Sequence, residues 1–287
     1  MDRTLATVAF DHPALAGDAG VSVAQNLGHL PGEDGTARWV WPGATATATW
    51  LCDRADEWIR GKRVVELGAG TGLLGAPTHH PTIPTPRRGV HPSSSAWTPP
   101  HPPRRRDFDL RSSFVATHSS PPREHAGLVA SRLGAASVVL TDLPSELPLL
   151  RHNADADAAR SGGACPVEVS ACGWGDAAAV AALRPPFDVV LCSDVLYQND
   201  EATQTALART IRDLLRAPDG SGEARERRPR GRCLMSYHFR ENVLADATFF
   251  EATEAFFGDP TRHSVGGELD DELWLFEYAP KEEEDGR

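Results

Sequence analysis

The segment Val64-Val65-Glu66-Leu67-Gly68-Ala69-Gly70-Thr71-Gly72-Leu73-Leu74-Gly75 constrains the fold more than any other stretch of the chain. The apolar pair before Glu66 suits a buried parallel strand. Three glycines at alternate positions then let the backbone turn tightly and approach a ligand more closely than any Cβ would allow. A helix follows the turn, and its first amides would favour a carboxylate or phosphate there. The segment therefore predicts the nucleotide-type turn of an α/β domain.

Two ligand classes compete for that turn. Gly70-x-Gly72-x-x-Gly75 satisfies the dinucleotide fingerprint, in which a pyrophosphate lies on the helix start. Glu66, two residues before the first glycine, suits an ammonium group better than a phosphate. S-adenosylmethionine carries an ammonium, a carboxylate, a ribose and an adenine, and Glu66-x-Gly68-x-Gly70-x-Gly72 resembles the first motif of the class I methyltransferases. A glycine turn without any ligand is the third reading.

With 287 residues, 40% hydrophobic and 24% charged, the chain can hold one α/β domain and some disordered material. Its net charge of −11 argues against broad binding to nucleic acid, which depends on neutralising phosphates. Cys52, Cys165, Cys172, Cys192 and Cys233 lack C-x-x-C pairing and the density of a secreted scaffold, so neither zinc nor disulfides are expected. The start, Met1-Asp2-Arg3-Thr4, lacks the apolar core of a signal peptide, and no apolar run reaches the roughly 20 residues of a membrane span. A soluble chain in a reducing compartment is expected, cytoplasmic or nuclear, with no membrane partner.

Ahead of the glycine turn, Val21-Ser22-Val23 suits an edge hairpin. Trp41-Pro42-Gly43 leads into Thr45 to Arg60, which reads as one helix with Leu51, Ala55, Trp58 and Ile59 on a single face. Trp41 either packs under the sheet or walls a cofactor pocket. Beyond Gly75 the character changes: residues 76–127 are dense in proline, serine, histidine and arginine and show no periodic apolar face. They read as a disordered insertion. The acidic ribose ligand of such folds is expected about 20 residues past the turn. Asp142, after the strand Ser137–Thr141, lies 74 residues beyond Gly68, and removing the 52 residues of the insertion leaves 22. The same excision joins Leu73 and Leu74 to Val129, Ala130 and Leu133 at helical spacing, closed by Gly134. The insertion's six histidines match no ligand spacing, so no metal site is expected.

From Asp142 the α/β rhythm resumes. A helix containing Leu147, Leu150 and Asn153 precedes a strand over Cys165–Val169 and then Gly173-Trp174-Gly175, where the indole suits either contact with an adenine or capping of the sheet. The strand Phe187–Cys192 delivers Ser193-Asp194-Val195-Leu196-Tyr197 to the carboxyl end of the sheet, where open α/β sheets hold their ligands. Asp194 could orient an incoming amine and Tyr197 hydrogen-bond it; a capping Asp with a packed Tyr is the plainer alternative. A helix over Glu201–Leu215, a mobile loop at 217–232, a strand over Cys233–Tyr237, a helix over Asn242–Phe257 and a strand over Glu272–Tyr278 complete the pattern.

With these motifs in this order, the chain resembles the family 16 methyltransferases, a methyltransferase-like group that includes many protein-lysine methyltransferases. The resemblance covers residues 35 to 75 and 128 to 279. It implies a Rossmann-like class I methyltransferase fold, a seven-stranded, mostly parallel sheet with helices on both faces and the last strand antiparallel. On this reading residues 1–34 are an N-terminal segment, 35–279 the interrupted domain and 280–287 an acidic tail. The resemblance implies S-adenosylmethionine as cofactor, with Trp41 beside it, Glu66, Gly68, Ala69, Gly70 and Gly72 around its methionine end, Asp142 on the ribose, Trp174 at the adenine and Ser193 touching it from the fourth strand. Asp194 and Tyr197 match the family's D-x-x-Y motif near the acceptor. A monomer that methylates a lysine on a protein substrate is the expectation. A small-molecule methyltransferase is the alternative, and so is a catalytically inert binding protein, because the insertion directly follows Gly75.

Overall fold

The computed structural model describes residues 7–15, 20–25, 40–72, 127–163, 165–196, 200–216, 231–239, 246–265 and 272–281. A hairpin of β1 (Thr7–Phe10) and β2 (Val21–Ala24) comes first. The main sheet contains β3 (Arg63–Leu67), β4 (Ser137–Asp142), β5 (Val167–Ala171), β6 (Val189–Ser193), β7 (Arg232–His238), β8 (Thr261–His263) and β9 (Leu273–Tyr278). Its order is β5-β4-β3-β6-β7-β9-β8, parallel from β5 to β7, with β9 antiparallel to both its neighbours. This is the seven-stranded, mostly parallel sheet with its last strand antiparallel that the resemblance implies.

Helices cover both faces, as a sheet of parallel strands requires. On one face α1 (Pro42–Cys52), α2 (Ala55–Trp58), α3 (Gly127–Arg132) and α4 (Leu147–Ser161) join the N-terminal hairpin in a core with Val64, Val138, Leu140, Leu191 and Leu234. On the other, α5 (Ala177–Ala182), α6 (Glu201–Leu215) and α7 (Ala247–Glu254) pack on Val65, Leu67, Val190, Cys192, Met235 and Tyr237. Neighbouring strand residues therefore bury themselves in opposite layers, as the period of two demands.

Several local readings change: the strand read at Phe187–Cys192 lies at Val189–Ser193, the helix read to Phe257 ends at Glu254, and three further changes have a visible cause. The single helix expected over Thr45–Arg60 breaks at Asp53-Arg54 into α1 and α2. Arg54 leaves helical geometry at φ −128° and ψ 25°, which lets Trp50 and Trp58 meet edge to face with ring centroids 5.1 Å apart. Tertiary aromatic packing thus outweighs local helix preference. The strand read at Cys165–Val169 runs two residues later, at Val167–Ala171, because its register is set by pairing with β4. Arg232, placed in the loop 217–232, instead opens β7, where its guanidinium lies 3.5 Å from the centre of the Trp58 ring and bonds Glu57 and Glu277.

Residues 76–126 of the insertion, with its six histidines, lie outside the described residues; Gly127, read as the insertion's last residue, instead opens α3. The insertion's edges are informative. A Cβ on Gly72 would lie 3.7 Å from Leu128 Cδ1, so the chain re-enters the fold beside the point where it leaves. The re-entry is fixed by Leu128, Val129, Ala130 and Leu133 in the core, and by a buried ion pair between Arg132 on α3 and Asp157 on α4, 2.9 Å apart. Val129, Ala130 and Leu133 lie in α3 or just after it and Asp142 ends β4, as expected, while Leu73 and Leu74, expected to share that helix, lie outside the described residues.

Candidate functional site

The carboxyl ends of β3, β4, β5 and β6 bring Gly68, Asp142, Trp174 and Asp194 to one edge of the sheet. The chain runs from β3 outward through β4 to β5 on one side and then crosses back to β6 on the other side of β3, so the glycine turn sits at the topological switch point. Gly68, Gly70 and Gly72 adopt φ of +65°, +56° and +86°, values that explain why three glycines are needed. A Cβ on Gly68 would come within 3.0 Å of Val195 and 3.7 Å of Trp174. Trp174 is thereby placed against the turn, half-buried.

The amides of the turn are engaged by the chain itself. Ala69 N–H donates to Thr141 O, Gly72 N–H to Ala69 O, and Gly70 N–H to Asp142 Oδ2, at 2.8, 2.8 and 2.7 Å. Asp142 Oδ1 accepts from Leu143 N–H at 2.7 Å. The expected attraction of this turn for an external anion is thus corrected: the anion at the turn is Asp142. Burial raises its carboxyl to about 6 despite these two amides, which lower it. Each of its oxygens keeps a second lone pair for a hydroxyl donor.

Glu66 is completely buried at the end of β3, and neither of its carboxylate oxygens has a hydrogen-bond partner among the described residues. Burial, and then the nearby charge of Asp142, push its carboxyl well above the usual range. A buried, unpartnered carboxyl beside Asp142 gains a partner and ionises when a cation arrives, whereas an anion would leave it buried and unpaired; the pair suits a cation flanked by hydroxyls better than a pyrophosphate. The donor set therefore fits the ammonium and ribose of S-adenosylmethionine, and it disfavours the dinucleotide alternative.

Asp194 follows β6, fully buried, at φ +51°, a conformation few non-glycine residues hold. Its N–H donates to Ser236 O at 2.9 Å. Ser193 is also fully buried; its hydroxyl bonds those of Ser236 and, at 3.4 Å, Thr47 on α1. Thr47 in turn donates to Gly43 O at 2.8 Å. Gly43 is required here, because a Cβ would fall 2.7 Å from Ser236 Oγ. The sequence reading identified Ser193 but not this row of hydroxyls, whose signal is small polar residues ending two adjacent apolar strands. Trp41, the N-cap of α1, is 8% exposed in the same region. Tyr197 lies outside the described residues, so the D-x-x-Y pair is seen only at Asp194.

The family profile described as "Lysine methyltransferase", methyltransferase family 16, matches residues 29–84 and 126–256, well over half of the chain. The chain belongs to this methyltransferase family. Its methyl donor is accordingly S-adenosylmethionine. The match breaks within the expected insertion and resumes one residue before α3. No curated protein matches the chain. Among solved structures, this methyltransferase is similar to the PH0226 protein of Pyrococcus horikoshii OT3, with 11% identity, TM-score 0.47, and 82% of this chain and 88% of that one covered. It is also similar to a ribosomal protein L11 methylase of Lactobacillus delbrueckii subsp. bulgaricus (13%, 0.43, 91% and 95%) and to the magnesium protoporphyrin IX methyltransferase of Synechocystis PCC 6803, solved with bound SAH (12%, 0.43, 82% and 80%). The fold assignment rests on the strand order and the family match. Among the described residues no helix is long and apolar enough to cross a membrane.

Proposed function

We propose that this methyltransferase transfers a methyl group from S-adenosylmethionine to the side-chain amine of a lysine in a protein substrate. The observation that carries the acceptor assignment is Asp194, a fully buried carboxylate held at positive φ at the end of β6, beside the turn that takes the cofactor. Strain of that kind persists only where the surrounding structure enforces it, and it concentrates at functional sites. The family description supports lysine as the acceptor.

The cofactor supplies an electrophilic sulfonium methyl. The chain supplies position and a water-poor site. Glu66 would hold the ammonium of the methionine end and Asp142 would accept from the ribose hydroxyls, while Trp174 walls the turn beside Gly68. Asp194 would hold the incoming amine and stabilise the positive charge it gains as the new N–C bond forms and the sulfur–methyl bond breaks, with the thioether S-adenosylhomocysteine as the leaving group. A lysine must first lose a proton, at an unperturbed pKa of about 10.4, and transfer is therefore expected to speed up with rising pH. Tyr197, from the family motif, is assigned a hydrogen bond to the same amine.

The decisive experiment combines calorimetric titration with S-adenosylhomocysteine and NAD with transfer of labelled methyl groups to a protein extract, followed by acid hydrolysis. Binding of S-adenosylhomocysteine and label in methyl-lysine support the assignment. Label confined to small molecules would favour the small-molecule alternative, and heat with NAD alone would overturn the cofactor assignment.

A further inference from the structure

Asn153 lies on α4, 1% exposed, and no sequence motif assigns it a role at the cofactor. Its amide reaches two parts of the chain at once. Nδ2 donates to the Thr71 carbonyl at 2.6 Å, inside the glycine turn. The same Nδ2 donates to Ala24 O at 3.0 Å, and Oδ1 accepts from Ala24 N–H at 2.8 Å, at the end of β2. The next residue, Gln25, is 2% exposed, and its Oε1 accepts from Val40 N–H at 3.0 Å, one residue before Trp41. The end of the N-terminal hairpin thus grips the glycine turn through Asn153 and the Trp41 segment through Gln25.

The reason such a grip is needed lies in the sequence. In an uninterrupted strand–turn–helix unit, the helix that continues from the turn anchors it. Here the family match breaks shortly after the turn and resumes only at residue 126. Thr71 is held from the side by an α4 side chain, and α4 is itself tied to α3 by the Arg132–Asp157 pair.

We propose that Asn153 and Gln25 are positioning residues for the cofactor, and that the N-terminal hairpin is a brace of the cofactor pocket and not an appendage. The inference rests on the cofactor site assigned above. Neither residue touches the reacting atoms; each acts through the backbone it holds.

The test compares Asn153→Ala, Asn153→Asp and Gln25→Ala with Arg160→Ala. Arg160 also ties the hairpin to α4, through Ser22 O, but touches neither the turn nor Val40. Affinity for S-adenosylhomocysteine is measured by calorimetry well below each variant's melting temperature. Asn153→Ala should weaken it by about tenfold or more and Gln25→Ala by about threefold, while Arg160→Ala stays within about twofold. Hydrogen exchange in the ligand-free proteins provides a readout independent of the cofactor. The amides of Gly70 and Gly72 should exchange faster in both Asn153 variants and unchanged in Arg160→Ala. Asn153→Asp keeps the bond from Ala24 N–H and loses the donor to Thr71, so its turn should loosen while β2 stays protected.

A folded Asn153→Ala protein with affinity within about twofold of wild type and unchanged exchange at Gly70 and Gly72 would overturn the proposal. If the wild type itself does not bind S-adenosylhomocysteine, the cofactor assignment fails, and the exchange comparison still decides the brace. Should Asn153→Ala not fold, the same decision falls to Asn153→Asp and Gln25→Ala.

Discussion

Asp142→Asn separates what this carboxylate does for the fold from what it does for the cofactor. The side chain is 8% exposed, and burial lifts its carboxyl from the ordinary 3.8 to about 6. A carboxyl raised in the folded state holds its proton more tightly there than in the unfolded chain. Its contribution to stability is therefore fully present below the unfolded value and is lost as pH rises through the folded one. At about 1.4 kcal/mol per pKa unit, the loss between about pH 3 and pH 8 is about 3 kcal/mol. Asparagine is neutral throughout and escapes this loss. It has a constant cost instead, because its NH2 must face either Gly70 N–H or Leu143 N–H, leaving one amide without an acceptor at about 1–3 kcal/mol. Urea unfolding of both ligand-free proteins across this range should show the variant gaining about 3 kcal/mol on the wild type as pH rises, whatever the offset at acid pH. At neutral pH, affinity for S-adenosylhomocysteine should fall by about tenfold, from weakened charge-assisted bonds to the ribose. A stability difference that stays constant with pH, or turns in favour of the wild type as pH rises, would refute the burial argument. Unchanged affinity in the folded variant would remove Asp142 from the ribose.

Three further outcomes are expected. Glu66→Gln should also stabilise the ligand-free protein increasingly as pH rises, since Glu66 is raised in the same direction; calorimetry in buffers of different ionisation enthalpy should show cofactor binding releasing a proton in the wild type and not in the variant. Gly68→Ala should cost about 1–2 kcal/mol of stability, from positive φ and a Cβ 3.0 Å from Val195, and should weaken S-adenosylhomocysteine binding when both are measured by thermal shift and titration. Removing residues 85–125 should leave the melting temperature and cofactor affinity within error of the full chain, because Gly72 and Leu128 are neighbours without that segment, whereas a cofactor site present in only one of the two proteins would show that the segment acts on the pocket.

The glycine turn, the alternation of apolar strands with amphipathic helices and the distance to Asp142 were legible in the sequence, because each depends on residue type at short spacing. Positive φ at Gly68, Gly70 and Gly72 leaves few other residues possible, so the turn announces itself. The resumption of the fold near residue 128 was equally readable, since an apolar helical face stops and starts again. Tertiary structure alone decided the rest. Whether the turn's amides serve a ligand or the chain depends on Asp142, 72 residues from Gly70, and spacing cannot show that its carboxylate faces inward. The break between α1 and α2 follows from the Trp50–Trp58 contact, and β8, a three-residue strand, exists only because β9 offers it an edge. Asn153 shows the limit most plainly. A position inside α4 becomes the link between hairpin and glycine turn, because hydrogen bonds between segments 82 and 129 residues apart are made in space and leave no period in the sequence.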